Sequence, residues 1–305
     1  MIKKYFQKQA IMRRVLLSLV PIYLLALYMY GWRLLFLAAM VFPLGIAGEY
    51  IMEKRKSKKI SEAILVTCSL YLLSLPAHTP WWIAILGILF SVFIGKEVYG
   101  GFGRNIFNPA IAGRLFVYIA FPNSLQMGYL EPGRFGIGVD AISGATNLGI
   151  LRDGGSIDRL MSFLGLRAGA MGESSVLLIL LAAVYLIVTR TASWRIILSA
   201  LLSAAALTTI LHYAGVAGAF FPLDAILSGS IFFVCVFIDT DPVSAPKKTL
   251  SHWFYGLIIG STSILIRTFS LFPEGTSFGV LLGNTFASLL DQVSGKLQKP
   301  RKAKS

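Results

Sequence analysis

The sequence predicts an all-α polytopic membrane protein with about ten transmembrane helices in a five-plus-five arrangement. Three observations carry that expectation. Of 305 residues, 56% are hydrophobic and only 14% charged, whereas a soluble domain has about 25% charged residues. The apolar residues come in long runs without strand-like alternation, and in lipid such runs satisfy their backbone as helices. The basic residues give a net charge of +14, yet they sit at the ends of the runs, as the positive-inside rule expects, and not as a surface for nucleic acid.

In order, the runs cover residues 15–30, 34–51, 61–75, 81–95 and 108–121, then 174–188, 194–212, 224–238, 253–270 and 276–293. A full crossing takes about 20 residues, so the shorter runs are expected to be oblique, broken or enclosed by other helices. Basic residues precede the first run (Lys3, Lys4, Lys8, Arg13, Arg14) and follow the second (Lys54, Arg55, Lys56, Lys58, Lys59). Others follow the fourth (Lys96, Arg104), flank the turn after the sixth (Arg190, Arg195), follow the eighth (Lys247, Lys248) and close the chain (Lys296, Lys299, Arg301, Lys302, Lys304). These alternate loops are therefore expected in the cytoplasm, with a basic N-terminal segment 1–14 and a basic tail 296–305. Residues 1–305 read as one integral membrane domain. No cleavage site is expected after the first run, where Tyr28, Met29 and Tyr30 are too bulky. Cys68 and Cys235 lie within apolar runs and far apart, as unpaired thiols rather than a metal pattern.

The interval 122–173 falls on the outer side and is too long for a turn. It holds the polar stretch Asp140-Ala141-Ile142-Ser143-Gly144-Ala145-Thr146. Tyr129, Phe135, Ile137 and Leu148 predict partial order there.

Each half also carries a polar break. Residues 100–110, Asn105 among them, are rich in glycine and asparagine, and Asn108-Pro109 is a helix-start signal with Asn as cap and Pro at the first helical position. That break reads either as a tight capping turn or as a helix end that attracts anions or electron-rich groups. Residues 239–246 carry Asp239, Thr240, Asp241 and Ser244. They read either as a solvated cytoplasmic loop with Asp241-Pro242 as a helix cap, or as an ion-handling site at membrane depth. Glu173 precedes the sixth run, where it either favours the helix dipole or attracts a cation. Arg267 sits inside an apolar run and needs a partner or a path to water. His78, His212 and His252 share no helical face, so neither metal nor haem is expected. Five spans per half reverse orientation, which fits an inverted repeat.

Taken together, the motif at 100–110, Asp140-x-x-Ser-Gly-Ala-Thr146, Gly172-Glu173-Ser174 and Thr240-Asp-Pro-Val-Ser-Ala-Pro246 resemble the NqrB/RnfD family over nearly the whole chain. The length is similar to RnfD members. The resemblance implies a fold like that of urea and ammonium channels. It also implies FMN joined through its phosphate to the Thr146 hydroxyl, with Asp140, Ser143, Gly144 and Ala145 completing the attachment motif. A flavin transferase acting outside the cytoplasm would make that bond, and some members hold a second, non-covalent flavin. The implied role is a subunit of an Rnf/Nqr-type translocase in the bacterial inner membrane, working with the other subunits and with Na⁺ or H⁺. Asn105, Asn108, Glu173 and Asp241 are the residues expected near an ion or flavin. Asp239 departs from the family, which more often has an uncharged residue there. The alternative reading is a small-solute channel or secondary transporter of the same fold without a redox role.

Overall fold

The computed structural model describes residues 6–130, 145–270 and 275–298. The first half contains α1 (Ala10–Tyr30), α2 (Trp32–Arg55), α3 (Ala63–Leu73), α4 (Trp81–Phe93) and α5 (Pro109–Ala120). Short helices α6 (Pro122–Gln126), α7 (Asn147–Arg152) and α8 (Arg159–Leu164) give the long interval its expected partial order. The second half contains α9 (Val176–Val188), α10 (Trp194–Tyr213), α11 (Pro222–Leu227) and α12 (Ile231–Phe233). The last of these runs into a π-helical turn at Val234–Ile238. Helices α13 (Thr249–Phe269) and α14 (Gly275–Leu297) follow.

The apolar runs are helical over most of their described residues, and the chain is a multi-pass membrane protein. Among the described residues, five segments are long and apolar enough to cross a bilayer: α1, α2, Trp81–Tyr99, α10 and α13. They present large apolar side chains outward, among them Leu17, Leu24, Leu35, Leu202 and Leu257, as a lipid-facing surface requires. The shorter α3 is different. All its residues except Leu65 are buried, so it is enclosed by protein and need not match the bilayer thickness. The run 224–238 is not one helix. Ser228-Gly229-Ser230 separates α11 from α12, and the π turn behind it is buried throughout.

The two halves pack alike. In the first, α2 lies against α4 and α4 against α5; in the second, α10 lies against α13 and α13 against α14. Across the halves α1 meets α9 and α5 meets α14. The α10–α13 contact depends on small residues. A Cβ on Gly260 would stand 2.1 Å from Ser203 Oγ and 2.2 Å from the Ala200 carbonyl oxygen. Gly260→Val is therefore expected to cost about 2–3 kcal/mol through overpacking, read as a lower unfolding temperature in detergent.

Polar contacts gather the basic loops at one end. Strand β1 (Phe6–Gln7) pairs in parallel with β2 (Ile60–Ser61), and Arg13 forms an ion pair with Glu62. Arg14 donates to the Thr189 carbonyl, 2.8 Å, and Asp291 accepts from the backbone N–H groups of Lys247 and Lys248. The Arg13 guanidinium, by hydrogen bonding, holds the Glu62 carboxyl below its ordinary range. A depressed folded-state value contributes stability above the unfolded pKa of about 4.3 and loses it as the pH falls below that. Glu62→Gln should flatten the drop in unfolding temperature between about pH 5 and pH 3.

Candidate functional site

Thr146 lies at the end of the molecule opposite the basic loops. It caps α7, its Oγ1 accepting from the Gly149 N–H at 3.2 Å, and it is partly exposed beside an exposed Ala145. That bond uses the oxygen as acceptor, leaving the hydroxyl proton free to be displaced. Asp140, Ser143 and Gly144 lie outside the described residues.

Three contacts seat α7 and its neighbours. Arg152 donates to the carbonyls of Arg267 and Ser270 at the end of α13, at 3.1 and 2.9 Å. Asn147 Nδ2 donates to Ser162 Oγ at 2.7 Å. Arg159 Nε donates to Asp224 Oδ1 at 2.6 Å, tying α8 to α11.

Beneath Thr146 is a small cavity of about 30 Å³, lined by Tyr129, Asn147, Arg167, Gly169, Glu173 and Gly229 among others. The buried Arg167 guanidinium donates to the carbonyls of Glu173, Ser174, Leu227 and Gly229. Glu173 forms an ion pair with Arg114 of α5 at 2.6 Å, and the Arg114 side chain is fully buried. Arg114 also stands over the Tyr118 ring, whose hydroxyl shares a hydrogen bond with that of Tyr129. Glu173 is thus no dipole partner at a helix start. Helix α9 begins at Val176 with Ser175 as its cap, and Glu173 turns inward instead. The described cavity wall carries one guanidinium, Arg167, and one carboxylate, Glu173, with Arg114 of α5 behind Glu173 as its ion-pair partner.

At the other end Asn105, Asn108 and Asp241 come together around a narrow cleft of about 50 Å³, shared with Lys96, Phe102, Thr240 and Pro242. Asn108 caps α5 as expected, accepting from Ala110 N at 3.0 Å. Its Nδ2 donates to Asp241 Oδ2 at 3.4 Å, and its backbone N–H donates to Asn284 Oδ1 at 3.0 Å. Asp241 does not cap a helix. It closes a turn by accepting from Ser244 Oγ at 2.8 Å and Val243 N at 3.2 Å, while Asp291 receives the N–H groups before α13. Asn105 donates to the Phe107 carbonyl at 3.0 Å. The polar breaks of the two halves therefore meet, and neither is a free solvated loop.

Asp239 does not face water. It is fully buried, with the Cys235 thiol beside it, and neither carboxylate oxygen makes a hydrogen bond of ordinary geometry among the described residues. Arg267 donates to the carbonyls of Ala225 and Ser228 at 3.1 and 3.2 Å, which supplies the partner its position demands. Cys68 and Cys235 are free and buried. Arg114, Arg167 and Lys96 were not anticipated as site residues. For Arg114 the signal was the same as for Arg267: a guanidinium within an apolar run.

A family model described as the NQR2, RnfD, RnfE family matches residues 1–298. The chain is 37% identical over 279 residues to a subunit of the Na(+)-translocating NADH-quinone reductase of Pseudoalteromonas atlantica, covering 88% of this chain and 68% of that protein. It is 35% identical over 265 residues to the corresponding reductase subunit of Pseudomonas aeruginosa, with 82% and 64% covered. To a subunit of the ion-translocating oxidoreductase complex of Stutzerimonas stutzeri it is 34% identical over 321 residues, with 93% and 89% covered. The chain thus spans about two thirds of the reductase subunits and most of the oxidoreductase-complex subunit.

Proposed function

The chain belongs to the NQR2, RnfD, RnfE family, and from that premise we propose that it is a membrane subunit of an ion-translocating electron-transport complex with FMN joined to Thr146. The observation that carries the reading is the partly exposed Thr146 hydroxyl at the edge of a cavity whose described wall bears Arg167 and Glu173, the latter paired with Arg114 of α5. The residues present fit the group. The hydroxyl is accessible to a transferase, Ala145 leaves the approach narrow, and the Arg167 guanidinium in the cavity wall suits a phosphodiester anion. When bound, the flavin supplies the electron relay. The chain fixes the attachment point through the Thr146 cap, holds α7 on α13 through Arg152, and sets the charge of the pocket through Arg114, Arg167 and Glu173.

The same reading puts the basic loops and both chain ends in the cytoplasm of a bacterial inner membrane and Thr146 on the outer side. The like packing of α2–α4–α5 and α10–α13–α14 supports ten spans in an inverted five-plus-five repeat, with α3 and the broken α12 as its enclosed third members. The meeting of Asn105, Asn108 and Asp241 at the inner end supports a place there for the translocated Na⁺ or H⁺ or for a second flavin. Partner subunits and a flavin transferase complete the assembly.

The test is co-expression with a flavin transferase, followed by in-gel fluorescence and mass spectrometry of the peptide that contains Thr146. A fluorescent band and an FMN-sized mass increment on that peptide are expected. An unmodified Thr146 under these conditions refutes the flavin assignment.

A further inference from the structure

Leu160, Met161 and Leu164 of α8 are exposed, Leu160 to 64%. At positions i, i+1 and i+4 they share one face of the helical turn. Ser162 lies on the other face. It is buried and accepts from Asn147 Nδ2, which joins α8 to the helix that Thr146 caps. Phe221 and Leu223, at the start of α11, are exposed as well. Water-facing surfaces seldom gather so many large apolar side chains, and such a patch marks a contact. Neither helix carries a lysine, and Arg159 is already paired with Asp224, so the face is apolar rather than basic.

A chain of ring contacts runs this patch into the lipid-facing side of α10. The Arg159 guanidinium stands 4.9 Å from the centre of the Phe221 ring. Phe221 meets His212 edge to face at 5.7 Å, and His212 meets Tyr213 at 5.4 Å. Tyr213, the last residue of α10, is 76% exposed, and Leu202 and Ile210 are exposed along the same helix. Tyrosines at the ends of spanning helices sit at the membrane–water boundary. The apolar patch therefore continues a surface that already faces lipid. Helix α8 has six residues, too few to stay helical alone in water. Packing on α9 and α11 holds it in place, so burying its outer face costs little further order.

We propose that α8 and the start of α11 form a platform whose apolar face inserts into the bilayer leaflet at the Thr146 end of the molecule. Its partner is the acyl-chain region of the lipid. Insertion of this kind scales with buried apolar area, and the platform has no basic excess to make it depend on anionic headgroups. Through the Asn147–Ser162 bond the leaflet then sets the height of α7 and of Thr146. The proposal rests on the membrane-spanning fold and holds whether or not Thr146 carries a group.

The experiment places a thiol-reactive fluorophore on Leu160→Cys, Leu164→Cys and Leu223→Cys, each in the full chain reconstituted in phosphatidylcholine nanodiscs. Cys68 and Cys235 are buried, so the label reports the introduced positions. Ser156→Cys, in the exposed stretch before α8, is the water-facing control. Lipids brominated on their acyl chains should remove about half or more of the emission at the three platform positions, as burial at acyl depth requires. Iodide in the water should quench Ser156→Cys strongly and the platform positions weakly. Replacing part of the phosphatidylcholine with phosphatidylglycerol should leave the pattern unchanged. Platform labels quenched by iodide and not by bromolipid overturn the proposal. So does protection from both quenchers, which means cover by protein, or bromolipid quenching that appears only with the anionic lipid. None of these readouts uses flavin, so failure here is separate from failure of the Thr146 assignment.

Discussion

Replacing Glu173 with alanine is expected to lower stability by about 3–5 kcal/mol, the usual cost of removing one partner from a buried ion pair. The partner left behind is Arg114, whose side chain is fully buried. Its charge has no short route to water, because α5 is packed between α4 and α14. The damage should also reach the pocket, since the Glu173 carbonyl accepts from Arg167 Nη2 at 2.8 Å. Unfolding in detergent should show the loss directly. Removing both charges, as Arg114→Met with Glu173→Leu, should recover most of it, because an apolar pair of similar volume replaces a buried ion pair at little cost. A double variant as unstable as Glu173→Ala would mean that the pair is held for a contact other than the ion pair itself.

The second large effect concerns Thr146 under the proposed function. Thr146→Ala removes the only hydroxyl at that position and should abolish the fluorescent band and the complex's electron transfer together. Thr146→Ser keeps a hydroxyl and a capping oxygen, and should retain part of both. Alanine also removes a helix cap worth about 1 kcal/mol, so unfolding temperature must be measured alongside. A small stability loss with complete loss of flavin is the expected pattern. Full electron transfer in Thr146→Ala would overturn the relay role.

The apolar runs were legible because a bilayer demands length and hydrophobicity that few soluble segments have. What was not legible is where a run stops being one helix. Residues 224–238 are uniformly apolar enough to read as a span, yet Ser228-Gly229-Ser230 lets the chain turn, and Arg267 donates to the Ser228 carbonyl freed there. Helix α2 reaches Arg55, beyond its apolar run, because Glu49 and Glu53 are polar residues on a buried face. The Asn108 cap was legible because capping is local, with its partners two and three residues away. Its bond to Asn284 spans 176 positions, and no local pattern encodes such a partner. For the same reason Glu173 looked like a helix-end carboxylate until the structure brought Arg114 to it.

The short clip between Phe6–Gln7 and Ile60–Ser61 has a consequence for biogenesis. Gln9 N donates to Glu62 Oε2 at 2.6 Å, and Ala63 N donates to Gln9 Oε1 at 3.2 Å. These groups can meet only after α1 and α2 have inserted as a hairpin with both outer ends on one side. A half-inserted first hairpin would strand the two strands on opposite faces of the bilayer. The clip therefore acts as a latch on topology. It needs only residues up to 63, so it can form without the later helices, and it rewards full insertion of the hairpin.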